Sequence, residues 1–109
     1  MDIEEIATQI KSHVSLTFEP EIDESFVTEK FCHDNEFIYV DGTYIVSYKT
    51  TQELFEQETI TKYEFDFISF IVEEINSDYQ DLYTESDRYN LGVELERLFE
   101  DEAKDRVNS

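Results

Sequence analysis

The spacing of apolar residues divides the chain into helical and extended segments. Ile3, Ile6 and Ile10 recur three or four residues apart, and Asp2 stands where it can cap the first helical turn. This spacing is typical of an amphipathic helix, because side chains three and four residues apart share one face. The pattern therefore predicts a helix over residues 2–16.

The middle of the chain changes to a pattern of short extended segments. The proline within Glu19–Glu24 predicts an exposed acidic loop. Three runs of β-branched and aromatic residues follow and predict antiparallel strands. They are Ser25–Cys32, Glu36–Val40 and Thr43–Lys49. Asp41 and Gly42 suit a two-residue hairpin turn of type I′, because both tolerate a positive φ.

Such a turn would give the sheet one aliphatic and one aromatic face, since alternate residues of a strand share a face. The aromatic face comprises Phe37, Tyr39, Tyr44, Val46 and Tyr48. A sheet that is apolar on both sides must be covered on both or must offer one side to a partner. Two interpretations stay open: either the first helix or a second subunit covers the aromatic face, or Tyr39, Tyr44 and Tyr48 contact a partner.

The last part of the chain is predicted to be helical. Capping patterns at Thr50 and Thr61 predict a short helix over residues 51–57 and a longer one after it. Apolar residues at helical spacing support the longer helix, although residues 63–67 also alternate as in a strand. A final helix is predicted from about Ser86 to Asp105. The chain is thus expected to be one α+β domain, 1–109, frayed at its last few residues. It has an N-terminal helix, a three-stranded antiparallel meander, and then two or three helices.

Charge is the strongest compositional feature. The chain has 28 acidic and eight basic residues among 109, a formal net charge of −20 and a pI near 4.1. Hydrophobic residues make up 39% and aromatic residues 15%, which is enough to build a core. Charge repulsion on this scale destabilises a compact state. We therefore expect the charge to serve the binding of a strongly positive partner.

Candidate catalytic and cofactor chemistry is sparse. The chain has two glycines, so no glycine-rich phosphate loop can be written, and Cys32 and His33 point to opposite faces of a strand. The acidic segment 78–87 has no glycine, which a calcium-binding loop requires at its sharp turn. We expect no enzymatic activity, no cofactor and no metal site.

The sequence also bears on where the protein is located and on whether it binds nucleic acid directly. The start of the chain lacks the basic and apolar residues of a secretion signal, and a single cysteine, Cys32, excludes an internal disulfide. We expect a cytoplasmic protein that does not bind a membrane. Direct contact with nucleic acid is not expected, because phosphates need a basic surface.

In size, charge density and lack of catalytic motifs, the chain resembles the small acidic DNA-mimic inhibitors of phages and mobile elements. That class includes anti-restriction proteins, anti-CRISPR proteins and uracil-DNA glycosylase inhibitors. The resemblance implies a stoichiometric inhibitor, monomeric or homodimeric, that blocks the basic site of a nucleic-acid-handling enzyme, with a defence nuclease as the first candidate. An immunity protein or antitoxin against a basic nuclease toxin, or an acidic secretion chaperone, are the alternatives.

The residues expected to contact the partner are acids in three groups, together with three tyrosines. The first group is Glu19, Glu21, Asp23 and Glu24; the second is Asp78, Asp81, Glu85 and Asp87; the third is Glu94, Asp101 and Asp105; the tyrosines are Tyr39, Tyr44 and Tyr48.

Overall fold

The computed structural model describes residues 2–78 and 83–108. The elements in chain order are α1 (Ile3–His13), β1 (Phe26–Asp34), β2 (Ile38–Phe55), β3 (Glu58–Ser77) and α2 (Glu85–Asn108). The strands form one antiparallel sheet in the order β1–β2–β3. The predicted α+β class, with an N-terminal helix and a three-stranded antiparallel sheet, is confirmed. Within the described residues one helix, rather than two or three, follows the sheet.

Helix α1 is shorter than predicted but begins as the sequence indicates. The Asp2 side chain accepts a hydrogen bond from the Glu5 N–H at 2.8 Å and caps the first turn. The helix ends at His13, and the Val14 N–H still donates to Ile10 O at 2.8 Å. Its buried face is formed by Ile6, Ala7 and Ile10.

The predicted hairpin turn at Asp41-Gly42 is wrong, because β2 runs straight through these residues. Gly42 pairs with Phe31 on one side and with Val72 on the other. A Cβ atom at position 42 would lie 2.2 Å from the Ile71 carbonyl oxygen. The glycine therefore permits a close approach between strands instead of a turn.

The hairpin turns lie elsewhere. The Asn35 side chain accepts hydrogen bonds from the N–H groups of Phe37 and Ile38 at 2.8 and 2.9 Å, which closes the turn between β1 and β2. At the other turn Glu56 and Gln57 have φ values of 50° and 70°. Two positive φ values match a type I′ turn, for which Asn-Gly is the usual sequence. Glu-Gln therefore gives no local signal of this turn.

The predicted helices over residues 51–57 and after Thr61 are also wrong, because both segments are strands. Strand β3 contains two β-bulges, at Asp66 and Glu73, where its register against β2 shifts by one residue. Each bulge moves the core-facing side chains to the other parity. The core-facing residues of β3 are consequently spaced by two or three positions, which resembles a helical pattern. They are Tyr63, Phe65, Ile68, Phe70, Val72 and Ile75.

Both helices pack on the same face of the sheet and form the core with it. Helix α2 contacts β3 and α1, and its buried stripe includes Leu91, Leu95 and Phe99. A Cβ atom at Gly92 would lie 2.7 Å from Phe70 O, so this glycine allows the helix to approach the strand backbone closely. The result is a two-layer structure with helices on one side of the sheet.

The molecule is elongated. Its extents are 61 × 22 × 18 Å, and its radius of gyration is 16.6 Å, compared with about 13 Å for a compact domain of this length. Strands β2 and β3 extend beyond β1 as a two-stranded segment, residues 51–62, which we call the hairpin arm. Residues 51–60 of the arm are all exposed.

Candidate functional site

Two tyrosines of β2 hold the acidic loop, Glu19–Glu24, and the segment that leads into it. The Tyr48 hydroxyl accepts a hydrogen bond from Glu21 N at 2.7 Å and donates one to Glu21 O at 3.0 Å. The Tyr44 hydroxyl accepts from Thr17 N at 3.0 Å. The four predicted acids of the loop are exposed. The loop therefore presents its carboxylates to solvent from an anchored backbone.

The prediction that Tyr44 and Tyr48 contact a partner is wrong. Their side chains are 1% and 2% exposed, and they belong to the core beneath the helices. Because β2 does not turn at Gly42, Tyr44 and Tyr48 share a face with Ile38 and Val40 instead of opposing them. The interpretation that helices cover the aromatic side chains applies to these two tyrosines.

The acidic loop lies beside the C-terminal end of α2. Arg106 Nε donates to Phe18 O at 3.2 Å, and its guanidinium group lies 5.7 Å from the centre of the Phe18 ring. One turn earlier, Glu102 accepts hydrogen bonds from Leu16 N at 2.8 Å and from Lys11 Nζ at 3.1 Å. The loop acids and the exposed Asp105 therefore lie together at the C-terminal end of α2, near the base of the hairpin arm.

The second predicted group of acids lies at the opposite end of α2. Asp87 accepts a hydrogen bond from Thr84 N at 2.9 Å and its own N–H donates to Thr84 Oγ1 at 3.1 Å, so it is part of a helix cap. Asp78 and Glu85 are exposed. Asp81 lies outside the described residues. A helix of 24 residues spans about 36 Å, so this group is far from the acidic loop.

The third group lies along α2. Asp101 and Asp105 are exposed, whereas Glu94 accepts hydrogen bonds from Arg97 Nη2 at 2.8 Å and from Arg97 Nε at 3.3 Å. The Glu94 carboxylate raises the pKa of Arg97 through this bond and its charge. Glu94 is thus partly neutralised within the molecule. Asp101 and Asp105 remain the acids of this group that face solvent.

Sequence analysis missed two acids with structural roles. Glu96 accepts a hydrogen bond from Phe70 N at 3.0 Å and so satisfies a backbone donor of the edge strand β3. Glu102 similarly satisfies Leu16 N. Both contacts join segments more than 25 residues apart in the chain, so no local pattern could have identified them.

None of the residues that the structure describes covers the face of the sheet away from the helices, and we call it the open face. Its central part consists of three adjoining cross-strand rows. They are Phe26–Ser47–Phe67, Thr28–Ile45–Ser69 and Lys30–Thr43–Ile71. Phe26, Phe67 and Ile71 are each about half exposed, at 51%, 52% and 51%. These nine residues include one lysine and no acid, in contrast to the rest of the surface.

Tyr39 lies on the open face, at the end of the sheet near the first hairpin turn. Its hydroxyl donates to Asp41 Oδ2 at 2.8 Å, and it lies close to the exposed Cys32. The hydrogen bond to Asp41 raises the pKa of Tyr39, with smaller contributions from burial and from Cys32. Of the three predicted tyrosines, Tyr39 alone is partly accessible.

A histidine pair joins α1 to β1. The rings of His13 and His33 lie 5.5 Å apart, and His33 is 5% exposed. Burial lowers the pKa of His33, the neighbouring His13 lowers it further, and Asp34 raises it in part. Asn35 Nδ2 lies 3.3 Å from His33 Nε2.

In the parts of the chain that the structure describes, no three His, Cys, Asp or Glu side chains are grouped to hold a metal ion. Neither described helix has a stretch of the length and hydrophobicity needed to cross a membrane.

Comparison of the chain with protein-family models, with curated proteins and with solved structures found no match.

Proposed function

We propose that the protein is a non-catalytic, stoichiometric inhibitor whose charge replaces that of a nucleic acid in the basic site of a nucleic-acid-handling enzyme. A defence nuclease of the restriction or CRISPR type is the first candidate. The main support is a net charge of −20 on a body 61 Å long and 22 × 18 Å in cross-section. Duplex DNA of that length has about 36 charges, at roughly one per 1.7 Å. The protein therefore has more than half the charge per length of the duplex.

Most of this charge is not neutralised internally. Lys11 pairs with Glu102, and Lys62 pairs with Glu53. Even if each of the eight basic residues neutralised one acid, twenty acids would remain. Such a field speeds association with a positively charged cleft and makes the affinity fall as salt is added.

The surface at the C-terminal end of α2, which holds the acidic loop, is the part best suited to enter the cleft. The exposed loop acids lie there together with Asp105. Tyr48 bonds the loop backbone at Glu21, and Tyr44 bonds Thr17 just before the loop. A loop that is already ordered loses less conformational entropy on binding than a flexible one. The loop acids are therefore held on an ordered backbone and are grouped with Asp105, whereas the acids of the hairpin arm are spread along a two-stranded segment.

The test measures the displacement of fluorescently labelled duplex DNA from purified restriction and RNA-guided nucleases. We expect at least one nuclease to lose its DNA at a one-to-one ratio of inhibitor to enzyme, with an affinity that falls steeply as salt increases. The proposal fails if every nuclease retains its DNA. It also fails if a nuclease binds the protein without losing DNA.

Two variants with the same net charge locate the binding surface. The loop variant combines Glu19→Gln, Glu21→Gln, Asp23→Asn and Glu24→Gln. The arm variant combines Glu53→Gln, Glu56→Gln and Glu58→Gln in the arm with Glu64→Gln beside it. We expect the loop variant to associate at least about tenfold more slowly than the arm variant. Equal loss in both variants would show that only total charge matters, and full potency in both would exclude charge as the recognition element.

A further inference from the structure

We propose that His13 and His33 together bind a divalent transition-metal ion with an affinity for imidazole, such as Zn²⁺, at the junction of α1 and β1. The inference goes beyond the proposed function and does not depend on it, because neither side chain belongs to the acidic surface. The two rings lie 5.5 Å apart and are inclined by 35°. Imidazole is the commonest metal ligand among protein side chains. The two histidines lie on separate elements, so no local spacing in the sequence indicates such a site, and none was expected there.

The hydrogen bond of His13 defines which of its ring nitrogens can bind a metal. His13 Nδ1 lies 2.8 Å from Gln9 O. A carbonyl oxygen only accepts, so Nδ1 carries a proton and donates it to this bond. The lone pair of the neutral ring is then on Nε2. Histidines that bind metals usually donate their other ring nitrogen to a carbonyl or carboxylate, which fixes the tautomer and orients the ring.

The hydrogen bonds of Asn35 define the tautomer of His33. Asn35 Oδ1 accepts from the N–H groups of Phe37 and Ile38, so its Nδ2 is the group that faces His33. Because Nδ2 only donates, His33 Nε2 accepts at 3.3 Å and carries the lone pair of the ring. This distance is beyond the usual range of about 2.7–3.2 Å, so the bond is weak and a metal ion can replace it. Asn35 keeps both of its bonds to the turn when this happens. Burial also lowers the pKa of His33, which favours the neutral ring that a metal ion requires.

The distance between the two rings fits two ligands of one tetrahedral ion. At Zn–N distances of about 2.0–2.1 Å, two imidazoles at the tetrahedral angle have ring centres roughly 5 Å apart. The observed separation of 5.5 Å is close to this value. Water completes the coordination, because His13 is exposed, and the net charge of −20 raises the local concentration of cations. Two protein ligands make a weaker site than the three or four of catalytic and structural zinc sites. The bound ion would join α1 to β1 and so stabilise the folded chain.

Titration calorimetry of the chelator-treated full chain with Zn²⁺ tests the proposal. Excess Mg²⁺ is present throughout and occupies the carboxylates, since it prefers oxygen ligands. We expect one Zn²⁺ per chain, a joint shift of the imidazole NMR signals of both histidines, and a Tm raised by at least about 4 °C at saturation. His13→Gln should raise the Kd for Zn²⁺ at least about tenfold, because it removes one of two protein ligands. The exposed position of His13 lets this variant keep the fold, which circular dichroism checks.

Cys32→Ser is the matched control, because the exposed Cys32 thiol is another ligand that zinc prefers. Cys32 adjoins His33 in the strand, so its side chain points to the opposite face, and we expect the variant to bind Zn²⁺ as the wild type does. The proposal is overturned if no Zn²⁺ binds in excess Mg²⁺, or if His13→Gln binds it as tightly as the wild type. It is equally overturned if Cys32→Ser loses as much affinity as His13→Gln, or if the His33 signals of the wild type do not move with added Zn²⁺.

Discussion

The hydroxyl of Tyr48 bonds both the amide nitrogen and the carbonyl oxygen of Glu21, at 2.7 and 3.0 Å. One buried side chain thereby satisfies two backbone groups of the acidic loop and ties it to the central strand. The core of the sheet and the proposed binding surface are thus directly connected. A change in the core at this position should alter the loop without altering its charge.

Tyr48→Phe tests this connection. The substitution keeps the ring in the core but leaves the Glu21 N–H and carbonyl without the hydroxyl, so we expect a loss of about 1–3 kcal/mol of unfolding free energy. Hydrogen exchange should accelerate across residues 19–24 in particular. Denaturant unfolding and amide exchange measure the two effects. Tyr89→Phe, at a tyrosine that is 72% exposed, should change neither.

The acids of α2 should separate into two classes when each is made neutral. Asp101→Asn combined with Asp105→Asn removes a like-charge pair four residues apart, and we expect unfolding free energy to stay constant or rise by about 0.2–0.5 kcal/mol. Glu102→Ala should instead lower it by about 1.5–3 kcal/mol, because Leu16 N and Lys11 lose their acceptor. Denaturant midpoints at one salt concentration compare the two. A stabilising Glu102→Ala would contradict the assigned role of Glu102.

Gly92→Ala should destabilise the protein although alanine is the better helix former. The added Cβ atom would lie 2.7 Å from Phe70 O, so α2 must move away from β3. We expect a net loss of about 1–3 kcal/mol, which exceeds the gain of about 1 kcal/mol in helix propensity. Asn90→Ala, at an exposed position of the same helix, provides the control and should be neutral or stabilising. Thermal unfolding compares the stability of both variants with that of the wild type, and a Gly92→Ala chain as stable as the wild type would contradict the prediction.

The elements predicted correctly are those in which local pattern and tertiary environment agree. Helix α1 has a capping residue and a regular apolar stripe, so its sequence alone identifies it. In β3 the bulges at Asp66 and Glu73 shift the alternation twice and produce a spacing that resembles a helix. The predicted turn at Asp41-Gly42 is wrong for a related reason, since glycine is equally suited to a turn and to the close approach of a neighbouring strand.

The candidate site was predictable in composition but not in geometry. The exposed acids of the loop follow from the proline and the run of charges around it. Which acids form hydrogen bonds within the molecule depends in part on contacts between distant segments, as for Glu96 with Phe70. The nine central residues of the open face, none of them acidic, are likewise brought together by the register of three strands, which a single strand's sequence does not define.

His33 should make the stability of the protein depend on pH in a specific direction. Burial lowers its pKa below the ordinary 6.5, so the unfolded chain binds a proton more readily than the folded chain. The contribution of His33 is therefore fully present above about pH 6.5 and is lost as the pH falls toward the lowered pKa. Protonated His33 would also face His13 at 5.5 Å between ring centres, while Asp34 offsets part of this repulsion.

The many carboxylates also titrate at low pH, so His33 must be separated from them by a difference measurement. Unfolding free energies of the wild type and of His33→Gln are compared at about pH 7.5 and about pH 5. We expect the wild type to lose more stability than His33→Gln over this interval, because the acids and His13 are common to both chains. Parallel pH profiles would show that His33 does not change its protonation equilibrium on folding, and a smaller loss in the wild type would show that its pKa is raised.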